Sequence, residues 1–173
     1  MAGTTPLTEQ LNNFVLSLRE QGILDYHFDE MKELESQTPC LVIEALTMFL
    51  RDADAAIADL FRLLGAPLIN YPKVTEIAYQ LKGSSASIGG CQMADACCVL
   101  RNASVAFNKD GCFTGFDMVR REYLQLQENL NHILQSSSRA RPNQFFCDGR
   151  VYLVFQFDPS SAYILISQQC GGD

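Results

Sequence analysis

The sequence predicts an all-α protein: an up-down four-helix bundle with additional short N-terminal helices and an atypical C-terminal tail. Three observations lead there. Apolar residues recur at three- and four-residue spacing through four long segments. Glycine and proline punctuate the short connections between them. With 173 residues, 47% of them hydrophobic, the chain has the length of one domain and the apolar content for one core.

The elements follow in order. Residues 6–20 open with Pro6 near a first turn and Thr8 as a cap, then set Leu11, Phe14, Val15 and Leu18 on one stripe. Gly22 interrupts, and Ile23 to about Glu35 form a second short helix with His27 near its start. Thr38-Pro39 leads into a long helix, proline suiting the first turn. That helix runs through Leu46, Phe49, Leu50, Ile57 and Leu60 to about Leu64. Its Glu44, Asp52, Asp54 and Asp59 read as a solvated acidic face, because no histidine or second carboxylate motif converges with them. Gly65-Ala66-Pro67 breaks the helix, and Tyr71-Pro72 begins the next, which stops near Gly89-Gly90. From Cys91 to about Phe107, Met93, Ala94, Cys97, Cys98, Leu100, Arg101 and Val105 share helical spacing. Lys109-Asp110-Gly111 reads as a turn. Phe113 to about Gln135 then carries Phe116, Val119, Tyr123, Leu126, Leu130 and Ile133, with His132 off the stripe and exposed. Short loops make such neighbours antiparallel.

After Ser136-Ser137-Ser138 the character changes. The bundle is expected over residues 1–138 and the tail over 139–173. In the tail, Val151–Phe157 and Ala162–Ser167 are β-prone runs around Asp158-Pro159-Ser160-Ser161, a candidate hairpin. A lone two-stranded hairpin is marginal in water, so the tail packs on the bundle, finds a partner or stays disordered.

Composition excludes several functions. A formal net charge of -7 argues against nucleic acid or an anionic membrane as partner. The seven cysteines (40, 91, 97, 98, 112, 147 and 170) form no CxxC or Cys/His ligand spacing, so neither a metal nor another cofactor is expected. Their odd number, and an N-terminus without a secretory pattern, point to free thiols in a reducing compartment. No run approaches the roughly 18 apolar residues of a membrane span.

The chemistry concentrates in the third long helix. Val74, Ile77, Ala78, Leu81, Ser85 and Ile88 form its buried stripe. At about 100° per residue, Tyr79 falls on the opposite face with Thr75, Lys82, Gly83 and Ala86 around it. Lys82 and Gly83, at i+3 and i+4, are its helix-surface neighbours. A glycine inside a helix costs about 1 kcal/mol relative to alanine, and here it clears the surface beside Tyr79 for another protein. The alternative is an ordinary surface tyrosine beside a solvated lysine.

The stretch QLKGSSASIGG, residues 80–90, resembles the signature of plant histidine-containing phosphotransfer proteins, the shuttles of multistep two-component signalling. The likeness runs from about Leu11 to about Leu134. It takes in GILDYHFDEMKELE, LVIEALTMFLRDADAAIADL and REYLQLQENLNHIL. In that family the residue before QLKGSS is the phosphorylated histidine; here it is Tyr79. The resemblance therefore implies a pseudo-phosphotransfer protein with no catalytic residue. Its partner-binding residues would be Tyr79, Gln80, Lys82, Gly83, Ser84 and Ala86. It implies a monomer in cytoplasm and nucleus that docks receiver domains of hybrid sensor histidine kinases and response regulators. Such a protein would lower signalling of the cytokinin type. The family's chains end soon after the last helix, so the tail departs from the pattern.

The chemistry of the exchange agrees. An imidazole with an ordinary pKa of about 6.5 offers a neutral nitrogen nucleophile at pH 7, and its phosphoramidate passes the group on. A phenol, ordinarily at about 10, needs a base to attack, and its phosphate ester is a poor donor to an aspartate. Two alternatives carry other mechanisms. One is transfer through His27 or His132, but positions 30 and 31 are Glu and Met, and 135 and 136 are Gln and Ser, so neither has the lysine-glycine neighbourhood. The other is a docking module switched by conventional phosphorylation of Tyr79 or of Ser84, Ser85 and Ser87.

Overall fold

The computed structural model describes residues 6–140 and two short strand segments, 146–147 and 150–151. Six helices appear in chain order: α1 (Pro6–Glu20), α2 (Tyr26–Leu34), α3 (Leu41–Leu64), α4 (Tyr71–Ser87), α5 (Cys91–Val105) and α6 (Lys109–Ala140). Helices α3 to α6 form the up-down bundle, α4 packing on α5, α5 on α6, and α3 against both α4 and α6. Helix α1 lies on α6, and α2 spans from α3 to α4.

Local chemistry sets the ends. The Asp25 carboxylate accepts the His27 backbone N–H at 3.0 Å and caps α2. Asn70 does the same for α4 through Lys73, with Pro72 in the first turn. Gly89 has a φ of +85°, and a Cβ there would come within 2.9 Å of the Phe28 backbone nitrogen. Its carbonyl accepts the Asp25 N–H at 2.8 Å, so the end of α4 is stitched to the start of α2. A Cβ on Gly115 would lie 2.8 Å from the Leu100 Cα, which is how closely α5 and α6 approach.

The core is one cluster. Val74, Ala78 and Leu81 of α4 meet Met93, Cys97 and Leu100 of α5 and Phe116, Val119, Leu126 and Leu130 of α6. Leu46, Phe49, Ala53 and Leu60 close it from α3, while Val15, Leu18 and Phe28 cover it from α1 and α2. Every residue expected on the α4 stripe is buried.

Several expectations need correction. Thr8 lies inside α1, which begins at Pro6, and Pro39 lies ahead of α3, whose N-cap is Cys40. Lys109-Asp110-Gly111 is the first turn of α6, not a loop: the Asn108 side chain accepts the Gly111 N–H at 2.9 Å and starts the helix early. Helix α6 also runs on to Ala140, past the expected end at Gln135. Helix α2 begins only at Tyr26, because Ile23 and Leu24 are drawn into the core before the Asp25 cap. Free thiols are found at Cys91, Cys97, Cys98 and Cys112, but Cys40 is disulfide-bonded.

Phe146–Cys147 pairs antiparallel with Arg150–Val151, which meets the expected hairpin only at Val151. The rest of the expected first strand, 152–157, and the expected second strand, 162–167, lie outside the described residues.

Candidate functional site

Because Val74, Ala78 and Ser85 face inward with no exposed surface, Tyr79 must point out, and it is 62% exposed. Gln80 and Gly83 are exposed as well, and Lys82, Ser84 and Ala86 are half-buried. Helical spacing sets Lys82, Gly83 and Ala86 closest around Tyr79, and puts Gln80 and Ser84 on its flank. Gln80 leans toward Glu76, its amide nitrogen 3.5 Å from the carboxylate. Glu76 in turn is held by Lys73 at 3.0 Å. A Cβ built on Gly83 would meet nothing within 4 Å. The fold therefore gains no packing from that glycine; what it provides is bare helix backbone beside the ring.

The serines serve the helix itself. Ser84 and Ser85 donate to the Leu81 carbonyl at 3.1 and 2.6 Å, and Ser87 donates to the Gly83 carbonyl at 2.9 Å.

The neighbouring helix supplies a residue that sequence reading assigned to packing. Arg101 of α5 holds its guanidinium carbon 5.9 Å from the centre of the Tyr79 ring, a cation–π arrangement. Beneath them the hydroxyls of Thr75 and Ser104 meet at 2.7 Å and lock α4 to α5. The signal for Arg101 was there: a half-buried cation inside an otherwise apolar stripe needs a reason to be so placed. What sequence could not supply was the register between α4 and α5.

Neither histidine has comparable surroundings. His27 is held by the Asp25 carboxylate at 3.0 Å and stacked on Tyr26 at 4.1 Å. His132 is exposed against Phe14, with ring centres 4.4 Å apart. Burial pushes the thiols of Cys91 and Cys112 up, and that of Cys97 to about 12, so they remain protonated and weakly nucleophilic.

One acidic residue of α3 is not solvated as expected. Asp54 accepts from the Tyr123 hydroxyl at 2.5 Å and from the Gln127 amide at 3.3 Å, while that hydroxyl also reaches the Leu50 carbonyl at 3.2 Å. Burial raises the Asp54 carboxyl against the lowering effect of the tyrosine's hydrogen bond. Burial, and next the carboxylate, push the Tyr123 phenol well above its ordinary range. The trio fastens α3 to α6, away from the Tyr79 face.

Among the described residues nothing hydrogen-bonds the Tyr79 hydroxyl, so no base is in place to activate it. The arrangement is an exposed aromatic flanked by two cations and bare backbone, suited to docking. No helix among the described residues is long and apolar enough to cross a membrane.

Comparison with known proteins is consistent with this geometry. No family model matches the chain. It is 35% identical over 130 residues to histidine-containing phosphotransfer protein 1 of rice, an alignment covering 75% of this chain and 88% of that one. It is 29% identical over 135 residues to pseudo histidine-containing phosphotransfer protein 6 of Arabidopsis thaliana, covering 77% and 88%. Among solved structures, a histidine-containing phosphotransfer protein from maize superposes with a TM-score of 0.74 at 35% identity, covering 77% of this chain and 98% of that one. One from Medicago truncatula gives 0.75 at 28%, covering 83% and 99%. With that identity carried across nearly the whole of its relatives, and the same helical bundle, the chain belongs to the histidine-containing phosphotransfer protein family.

Proposed function

We propose that this protein is a non-catalytic, pseudo member of the family that docks receiver domains of hybrid histidine kinases and response regulators without accepting phosphate. It competes with active shuttles and lowers flux through the phosphorelay, in plants chiefly in signalling of the cytokinin type. One observation carries the reading: Tyr79 stands immediately before QLKGSS, exposed, where the signature calls for the accepting histidine. The bare backbone at Gly83 supports retained docking, since nothing inside the fold asks for a glycine there. As a monomer in cytoplasm and nucleus, it would meet both membrane-proximal kinases and nuclear regulators.

The test mixes a phosphorylated hybrid-kinase receiver, radiolabelled on its aspartate, with the wild-type protein and with Tyr79→His, and measures receiver binding for both. Wild type is expected to bind and stay unlabelled, while Tyr79→His becomes labelled. Acid-labile label on the wild-type protein would point to another histidine and overturn the proposal.

A further inference from the structure

Far from Tyr79, Cys40 differs from the other described cysteines. Of the seven cysteines in the chain, Cys91, Cys97, Cys98 and Cys112 are free thiols, while Cys40 is disulfide-bonded. Only Cys147 and Cys170 are left to be its partner, and both belong to the tail. Cys40 stands at the N-cap of α3 and is 2% exposed, although Thr38 and Pro39 beside it are exposed. Its φ is +65°, a conformation that a non-glycine residue keeps only where its surroundings enforce it.

The bundle brings the root of the tail to this point. Helices α3 and α6 run antiparallel and are level with each other where Tyr123 bonds Asp54. At 1.5 Å per residue, Cys40 lies about 21 Å from that level and the end of α6 at Ala140 about 25 Å, in the same direction. Packed helix axes are about 8–10 Å apart. The seven residues from Ala140 to Cys147 span up to about 23 Å, so Cys147 reaches Cys40 easily. Cys170 sits on a tether of about 30 residues and has the lower effective concentration there. Cys147 also ends the first strand of the pair Phe146–Cys147 and Arg150–Val151. A two-stranded ribbon is marginal in water by itself, and a covalent anchor supplies the support it lacks. Three of the free thiols compete poorly for exchange, because burial raises Cys91, Cys97 and Cys112 and leaves little thiolate.

We propose that Cys40 and Cys147 form a reversible disulfide that latches the tail to the head of α3, so that the redox state of the protein decides whether the tail is held on the bundle. One thiolate of the pair attacks the sulfur–sulfur bond of a small-molecule disulfide, such as oxidised glutathione, and displaces one glutathione thiolate. The second protein thiolate attacks the mixed disulfide and displaces the other. The two protein thiols give up two protons and two electrons, and the glutathione disulfide takes them up as two thiols. Reduced glutathione runs the exchange backwards. In the reducing compartment expected for this chain, such a bond opens and closes instead of persisting. Closed, it also stabilises the bundle by restricting the unfolded chain.

The full-length protein is equilibrated in oxidised or reduced glutathione, its free thiols are alkylated, and it is cut with trypsin for mass mapping. After oxidation, peptide 33–51 with Cys40 is expected to be linked to peptide 140–150 with Cys147, whereas Cys170 falls in peptide 151–173. Reduced glutathione should separate the two peptides. Thermal unfolding gives the second readout. Wild type should melt several degrees lower when reduced, while Cys40→Ser and Cys147→Ser should each melt at one temperature in both buffers. Each variant is compared with itself, so the folding cost of a substitution does not enter. A Cys40 thiol that stays free after oxidation, or one linked to 151–173, overturns the proposal. A wild-type melting temperature indifferent to reduction overturns it as well.

Discussion

At the scale of single residues, the same side-chain type takes opposite roles according to what surrounds it. Tyr79 and Tyr123 both lie on bundle helices. Tyr79 is 62% exposed and shares its face with Lys82 and Arg101, whereas Tyr123 is 4% exposed and gives its hydroxyl to Asp54. The second arrangement predicts a pH dependence. Burial raises the Asp54 carboxyl above its ordinary 3.8, so the native state binds that proton more tightly than the unfolded chain does. The stability tied to this group is full below about pH 3.8 and is lost as pH rises through the folded-state value. Asp54→Asn keeps an oxygen acceptor for both donors and removes the buried charge. Its melting temperature relative to wild type should therefore be more favourable at pH 7 than at pH 4, as read by thermal unfolding at both. Tyr123→Phe strips Asp54 of its shortest donor and should cost about 1–3 kcal/mol at neutral pH, measured by urea unfolding.

At the scale of elements, two glycines of the α4 region separate structure from function. Gly89 is demanded by the fold: its φ is positive, and a side chain there would press on the Phe28 backbone where α2 is stitched to α4. Gly89→Ala should destabilise the protein by at least the ~1–2 kcal/mol of a left-handed non-glycine residue. Gly83 lies mid-helix with open space around it, so Gly83→Ala should raise stability by about 0.5–1 kcal/mol. The same substitution should weaken receiver binding, because a methyl group then stands on the docking face. Thermal unfolding and titration of the two variants check both signs. A Gly83→Ala protein that is more stable and binds equally well would show that the cleared face has no partner. The helices themselves were legible from periodicity, and the start of α4 was legible at Tyr71-Pro72, whereas Thr8 and Pro39 misplaced the starts of α1 and α3. The early start of α6 was missed because Lys109-Asp110-Gly111 has turn composition, and only the Asn108 cap resolves it in favour of helix.

At the scale of the whole molecule, an acidic protein presents a local pair of cations at one face, so its attraction to an acidic partner is short-ranged. Screening lengths fall from about 10 Å at 0.1 M to about 3 Å at 1 M salt. Receiver affinity should accordingly drop several-fold between those ionic strengths in wild type and less in Lys82→Ala/Arg101→Ala, as measured by titration in sodium chloride. Sequence by itself determined the helical class, the inward stripes of the bundle helices and the outward direction of Tyr79. Those follow from the 3.6-residue period, which is a property of each helix alone. It also carried the family, because QLKGSSASIGG is contiguous. Tertiary structure alone decided that Arg101 lies over Tyr79 and that Asp54 is gripped by Tyr123 and Gln127. Both are contacts between helices, fixed by axial register and close approach. No periodicity within one helix encodes how far it slides along the next.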